Sequence, residues 1–434
     1  MGNRARTMDH VQVSKKSFNP RIVWASIFIL INLICMIVIL VDRRLLGDTA
    51  GVALEAFDMV VPMTIVVISS YIMILGFVFP LFCRIKVRPV PLLIRIGHDN
   101  FGLALLFLQL VFIYFFTSTG LFVAGSLSRS ESIWSIFWVL INVDTLFFIY
   151  YGFFRESRFF LINLGVAIVS NMLRGWSGIF MLIILMESAR LVRAKRISFL
   201  KIGIGLFFIV ILYPLIYIIK LQVRSSFSGS GAEPVFFDLI FFNISDFGYR
   251  GYLDLLWISF LQIFERLQLV SSQIVVYQNS TELAAGLSAD VITPFWMEGI
   301  HGIAYERIFQ LQPMQNIGVS LANLIDPFQS DVNWNANPGY ASWFFLQPLL
   351  SPIYLAYTFV QIFVVIWLVK RMGGGVCAFD MLWFACLLYL VPGWLGSFVL
   401  FIHSLIIFYL FHTLARNMSR IRWTVSKPVW SRST

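Results

Sequence analysis

Apolar residues in this chain come in long unbroken stretches rather than alternating with polar ones. Stretches near the ~20 residues a helix needs to cross a bilayer occupy 22–41, 57–82, 100–124, 133–154, 199–219, 342–369, 376–392 and 395–414. A further run, 159–189, is too long for one crossing and is interrupted by Arg174-Gly175-Trp176-Ser177-Gly178. It reads as two spans, 159–173 and 178–192, joined by that turn. The pattern predicts an all-α integral membrane protein of about ten transmembrane helices in three parts. Residues 1–219 carry seven spans with short loops, 220–341 form one large, partly helical loop, and 342–434 carry three spans and a basic tail.

Charge placement tests the hairpin. With ten spans and the N-terminus inside, 23 of the 32 Lys and Arg residues fall on the inner side, including Arg21, Arg84, Lys86, Arg193 and Lys370. A single span over 159–189 would push the cluster Arg190, Arg193, Lys195, Arg196 and Lys201 outside, against the positive-inside rule. Both termini are therefore expected in the cytoplasm and the large loop on the outer face. The first span is followed by Asp42-Arg43-Arg44 rather than a small-x-small cleavage site, so it is expected to remain uncleaved.

Composition narrows the function. The chain is 59% hydrophobic and only 12% charged, against about 25% charged in soluble domains. That excludes a soluble enzyme, a disordered chain and a nucleic-acid-binding domain. Four cysteines, Cys35, Cys83, Cys377 and Cys386, lie in or beside apolar runs with no disulfide or metal spacing. The large loop holds eleven acidic residues against five basic ones, so any anion recognition there rests on a few placed arginines. Within it, 249–273 predicts an amphipathic helix. Arg250, Asp254, Gln262, Glu265, Arg266, Gln268, Ser272 and Gln273 share one arc, with Leu253, Leu256, Trp257, Phe260, Phe264 and Leu267 opposite. Such a helix lies in the headgroup layer or packs on the bundle, and either way Arg250 and Arg266 point away from lipid tails. Trp343 and the aromatics after it suit the interfacial belt.

Several residues are candidates for chemistry. The span before Arg174 covers 15 residues, about 22 Å at 1.5 Å per residue, short of the ~30 Å hydrocarbon core. Arg174 is thus a guanidinium at membrane depth facing a partner or a cavity, or an interfacial charge capping the hairpin. Arg224 closes the seventh span, as a ligand or as an ordinary end charge. Glu298 and His301 share a face on any helix, which would orient the imidazole as a general base; the alternative is a structural loop histidine. Asp144 is a buried polar link between helices or part of an ion path. No D-x-D pair is present, although Asp42, Asp48, Glu55 and Asp58 in the first outer loop keep a metal-dependent lipid-sugar transferase open.

This layout resembles the bacterial O-antigen polymerase (Wzy) family. The shared features are many Phe-rich spans, termini inside, one large outer loop late in the chain, a short Arg-Gly hairpin at Leu173-Arg174-Gly175 before it, and a span ending in Arg224 at the loop entrance. The likeness covers nearly the whole chain as architecture, with short, loose motifs. It implies a GT-C-like bundle in the bacterial inner membrane with its large loop periplasmic. It also implies a periplasmic-face glycosyltransferase that moves a growing glycan from undecaprenyl diphosphate onto a new lipid-linked repeat unit. Arg174, Arg224, Arg250 and Arg266 would hold the diphosphate, and Glu298 or His301 would be the base. No cofactor or metal is expected. The implied partners are undecaprenyl-diphosphate-linked oligosaccharide, membrane lipid and a chain-length regulator protein. Alternatives are an O-antigen ligase acting on lipid A core, and a lipid-linked oligosaccharide flippase.

Overall fold

The computed structural model describes residues 19–89, 97–123, 132–194, 268–326 and 335–425, with some positions between 254 and 267. The expected span 199–219 and two of the candidate arginines, Arg224 and Arg250, lie outside the described residues.

The described chain is helical. In chain order the helices are α1 (Pro20–Asp42), α2 (Phe57–Cys83), α3 (Gly97–Thr119), α4 (Ile133–Leu140), α5 (Val143–Phe154), α6 (Phe160–Leu173) and α7 (Gly178–Arg193). Four short helices follow, α8 (Val270–Gln278), α9 (Ser280–Ser288), α10 (Ile300–Ile308) and α11 (Ile317–Ile325), then α12 (Ser342–Leu346), α13 (Ser351–Arg371), α14 (Val376–Leu390) and α15 (Leu395–Val425). Among the described residues there is no strand, only a single parallel bridge between Ile292 and Gln315. Six helices there are long and apolar enough to cross a membrane: α1, α2, α3, the pair α4–α5 taken together, α13 and α15. Leu30, Ile65, Phe77, Phe107, Leu161, Val360 and Leu410 stand exposed on the helices. A water-facing protein would not leave so large an apolar belt uncovered, so the chain is a multi-pass, all-α membrane protein.

The two widened, π-type turns have a local cause. Ile72–Val78 lies just before Pro80, and Cys386–Leu390 just before Pro392. A proline lacks an N–H and its ring clashes with the carbonyl four residues back. Widening the preceding turn relieves both within α2, which continues past Pro80, whereas α14 ends at its widened turn and Pro392 lies in the turn that follows.

The split of 159–189 into two helices is seen directly. Gly175, at φ +71, closes a Schellman motif in which Trp176 N–H donates to Asn171 O and Gly175 N–H to Met172 O. α7 then returns to the end of the bundle where α1 begins. There Arg193 and Arg21 both bind Asp380 of α14, at 2.7–2.8 Å. The charge argument for the hairpin thus corresponds to a physical contact: Arg193 reaches the same carboxylate as Arg21.

Parts of the described residues between Gln268 and Leu346 pack inside the bundle. α8 is buried from Val270 to Val276 and packs on α1 and α2. Asn32, in the middle of α1, accepts the Leu269 N–H at 2.8 Å, and Ser271 accepts the Leu46 N–H at 3.1 Å. Non-helical backbone is tolerated at such depth only when its polar groups find protein partners, which is what Asn32 supplies. Further along, Gly339 and Tyr340 donate backbone N–H groups to Pro392 and Val391 at 2.9 Å. Gly339 (φ +82) and Gly393 (φ +84) approach so closely that a Cβ on Gly393 would stand 2.7 Å from the Gly339 carbonyl. Tying these strands of backbone together fixes the segment to the turn between α14 and α15.

Candidate active site

Glu298 is the most unusual titratable group in this inserted segment. It is 5% exposed. Phe295, three residues earlier, packs its ring 5.1 Å from Tyr354, 5.6 Å from Trp343 and 5.7 Å from Tyr357. The carboxyl lies within electrostatic reach of the Tyr354 and Tyr357 hydroxyls. Gly396, in the first turn of α15, donates its N–H to Oε2 at 3.3 Å, with the Ile317 N–H at the start of α11 acting at longer range. Oε1 has no hydrogen-bond partner.

Two opposed effects set the charge of this carboxyl. Burial disfavours the anion, while two helix N-termini favour it. Burial wins, and the carboxyl is pushed up to about 8. A carboxyl held there carries its proton at neutral pH yet exchanges it readily, which is the range general acid–base catalysis needs.

The position is fixed by the residue that follows. Gly299 has φ +116, a conformation open to glycine, and a Cβ there would fall 2.7 Å from Val399 Cγ1. This turn sends Glu298 inward and starts α10 at Ile300. Gly299→Ala should cost about 1–3 kcal/mol through backbone strain alone and move Glu298 away from Gly396. A lowered melting temperature in detergent is the readout; an unchanged one would show that the close packing on α15 is dispensable.

The expectation that Glu298 and His301 share a helical face is not met, because α10 begins after Glu298. The carboxyl is buried against α15, whereas His301 is exposed and its Nε2 lies 2.5 Å from the Trp296 carbonyl. A carbonyl only accepts, so Nε2 carries the proton and Nδ1 remains the imidazole's basic atom. The two residues stand side by side in sequence but act in different surroundings.

Arg174 is buried within the protein, and it already has an anion. Its Nη2 contacts both oxygens of Asp144 at 2.8 Å, and its Nε donates to the Ser170 carbonyl at 3.2 Å. Asn171 adds a bond to Asp144 at 3.0 Å. The guanidinium carbon stands 5.0 Å from the Phe112 ring, 5.2 Å from Trp176 and 5.6 Å from Phe116. Cation–π packing and a doubly contacted carboxylate satisfy this cation within the protein. Asp144 lies in the first turn of α5, where the crossing 133–154 is broken at Ile141–Asn142 and Asn142 caps the new helix by accepting the Thr145 N–H at 2.9 Å. Asp144 thus links α5 to the end of α6 while staying partly exposed itself.

Arg266 is half-exposed and contacts Asp48 at 3.4 Å. Glu265 beside it is pushed up by burial and by the nearby Asp48 charge. Arg174 and Arg266 contact different carboxylates on different elements, so the structure does not bring these two arginines to one ligand. The predicted helix 249–273 is also corrected. It breaks at Gln268–Leu269 before α8 starts. Gln268 and Gln273 of its polar arc are buried, bonding to Leu46 O and Ser342 Oγ, while Trp257 and Phe260 of its apolar arc are exposed. Trp343 is likewise buried in the Phe295 cluster rather than placed in an interfacial belt.

Sequence reading missed Arg43 and Arg44, which the fold places on the same side as Arg266. Arg44 lies near Glu265 and Asp42, and Arg43 stacks on the Phe57 ring at 5.2 Å. No family model, curated protein or solved structure matches the chain.

Proposed function

We propose that this protein is a glycosyltransferase working on undecaprenyl-diphosphate-linked oligosaccharide at the outer face of a bacterial inner membrane, of the O-antigen polymerase type. The observation that carries the reading is Glu298: a buried, glycine-positioned carboxyl with one free oxygen, poised near neutral pH where the inserted segment meets the crossing helices. Transfer needs a group that accepts a proton from the acceptor sugar's hydroxyl as its oxygen attacks the donor's anomeric carbon. Glu298, as its carboxylate, takes that proton, and the bond to undecaprenyl diphosphate breaks with the electron pair leaving on the diphosphate oxygen. Arg266, with Arg43 and Arg44 nearby, is the cationic surface in this part of the fold; Arg224 and Arg250 remain candidates from the sequence. Ile303, Tyr305, Ile308 and Phe309 on and after α10 are exposed and suit contact with a polyprenyl chain.

A second reading, a lipid-linked oligosaccharide flippase, draws on the broken crossing and its Asp144–Arg174 pair, since discontinuous helices with charges at depth are frequent in transporters. The surface glycan of a deletion strain separates the readings. Loss of a polymerase leaves core capped by a single repeat unit, loss of a ligase leaves bare core, and loss of a flippase leaves no repeat unit at the outer face. Orientation is tested independently. Reporters fused after residue 320 should be active only outside the cytoplasm, and those fused after residue 194 only inside it. The reverse pattern would remove the outer-face chemistry altogether.

A further inference from the structure

At the end of the bundle opposite Glu298, five helix termini converge on a cleft of about 780 Å³. Its walls come from the start of α1 (Asn19, Arg21), the segment after α2 (Arg84, Lys86), the end of α7 (Arg193), the end of α13 (Lys370) and the turn into α14. Five of these lining residues are cationic. Asp380 answers two of them, since Arg21 and Arg193 both bind it. Lys370 donates to the carbonyls of Cys83 and Ile85, and Arg371 to that of Arg88 at 2.8 Å. These bonds pin residues 83–88 over the cleft without neutralising anything. Arg84 and Lys86 are exposed and reach into the same space. Among the described residues, one carboxylate against five cations leaves an excess of positive charge that costs energy unless an anion enters.

The backbone adds to this. α14 starts at Val376, on the cleft wall, after Gly373-Gly374-Gly375, and its Gly375 cap supplies no side-chain hydrogen bond. No side chain from that cap occupies its first N–H groups, and a helix N-terminus beside arginines suits a phosphate. Val376 and Phe379 give the cleft an apolar side next to its basic one.

We infer that this cleft binds a phosphate-bearing anion, and that the phosphate group of an anionic membrane lipid is its occupant. The shared chemistry is one phosphate held by guanidinium and ammonium groups at a helix N-terminus; a soluble phosphate offers the same chemistry without the acyl chains. The inference is independent of the reaction at Glu298. Basic clefts between helices at the membrane surface take lipid headgroups, each cation adding about 1 kcal/mol.

The test uses the full-length protein in neutral detergent, with dioleoyl phosphatidylglycerol, dioleoyl phosphatidylcholine and inorganic pyrophosphate as probes. Thermal unfolding reports binding. Phosphatidylglycerol should raise the melting temperature, phosphatidylcholine should not, and the effect should shrink with salt. The double variant Arg84→Gln/Lys86→Gln spares the Asp380 contacts and should weaken the phosphatidylglycerol response about 30-fold in concentration. A response to pyrophosphate but not to phosphatidylglycerol, lost in the same variant, would uphold the phosphate site and overturn the lipid as its occupant. Identical responses of wild type and variant to every probe would overturn the site.

Discussion

Asp144→Ala should lower both the melting temperature in detergent and the amount of protein recovered from the membrane. The variant leaves the Arg174 guanidinium, 2% exposed, without its carboxylate among Phe112, Phe116 and Trp176. Removing one member of a buried pair costs about 3–5 kcal/mol because the remaining charge stays desolvated. Arg174→Ala should follow the same direction more mildly, since Asp144 keeps the Asn171 bond and is the more exposed partner. Arg174→Lys should rescue it poorly. A single ammonium does not reproduce the two nitrogens that reach Asp144 and the Ser170 carbonyl separately, nor the flat guanidinium face beside three rings. The double variant Asp144→Leu/Arg174→Met removes both charges at similar volume and should recover most of the stability. Protein level is thus the deciding measurement. Arg174→Ala protein at normal level and normal melting temperature, yet without polymer, would return Arg174 to the diphosphate.

The difference between sequence and structure at Arg174 is instructive. Length alone made it a candidate for a partnered cation, because 15 residues do not cross a bilayer. Its partner was legible only as a set of options, because pairing across 30 residues depends on how α5 and α6 pack, and no local pattern encodes that. The hairpin was legible because the cluster near Arg193 had to lie with Arg21 and Arg84, and Asp380 is where that requirement is met. The segment 249–273 misled for a physical reason. An amphipathic pattern says which residues share a face, and the usual inference is that polar ones meet water. Here Gln268 and Gln273 bond to other parts of the protein inside the bundle, which amphipathicity does not register. Glu298 misled in a simpler way: spacing placed it on a helix with His301, while the glycine immediately after it, at positive φ, ends that possibility and points the carboxyl at Gly396. A glycine at that position was the available signal.

Glu298→Gln should abolish most transfer activity while leaving a well-folded protein, and stability against pH separates a chemical role from a packing one. The amide fills the same space and still accepts the Gly396 N–H, so the fold is retained. In the wild type the carboxyl rises from 4.5 to about 8 on folding. A group whose folded value is raised contributes stability that is fully present below about 4.5 and is lost as pH climbs through about 8. At roughly 1.4 kcal/mol per pH unit the full swing is on the order of 4–5 kcal/mol, an upper limit for a site that relaxes or admits water. The wild-type melting temperature should therefore fall between pH 5 and 9, and the Gln variant should lack that slope. Flat wild-type behaviour would mean Glu298 is ionised throughout and its burial is relieved by something other than a proton. Activity gives the second half of the argument. If the carboxylate takes the acceptor's proton, the wild-type rate should rise with pH, reaching half its plateau near the carboxyl's own value, about 8. The Gln variant should lose about 10²–10⁴-fold and that rising limb together. A Gln variant that kept the rate and merely shed the stability slope would make Glu298 a latch between α11 and α15. The proton acceptor would then be sought at the free Nδ1 of His301.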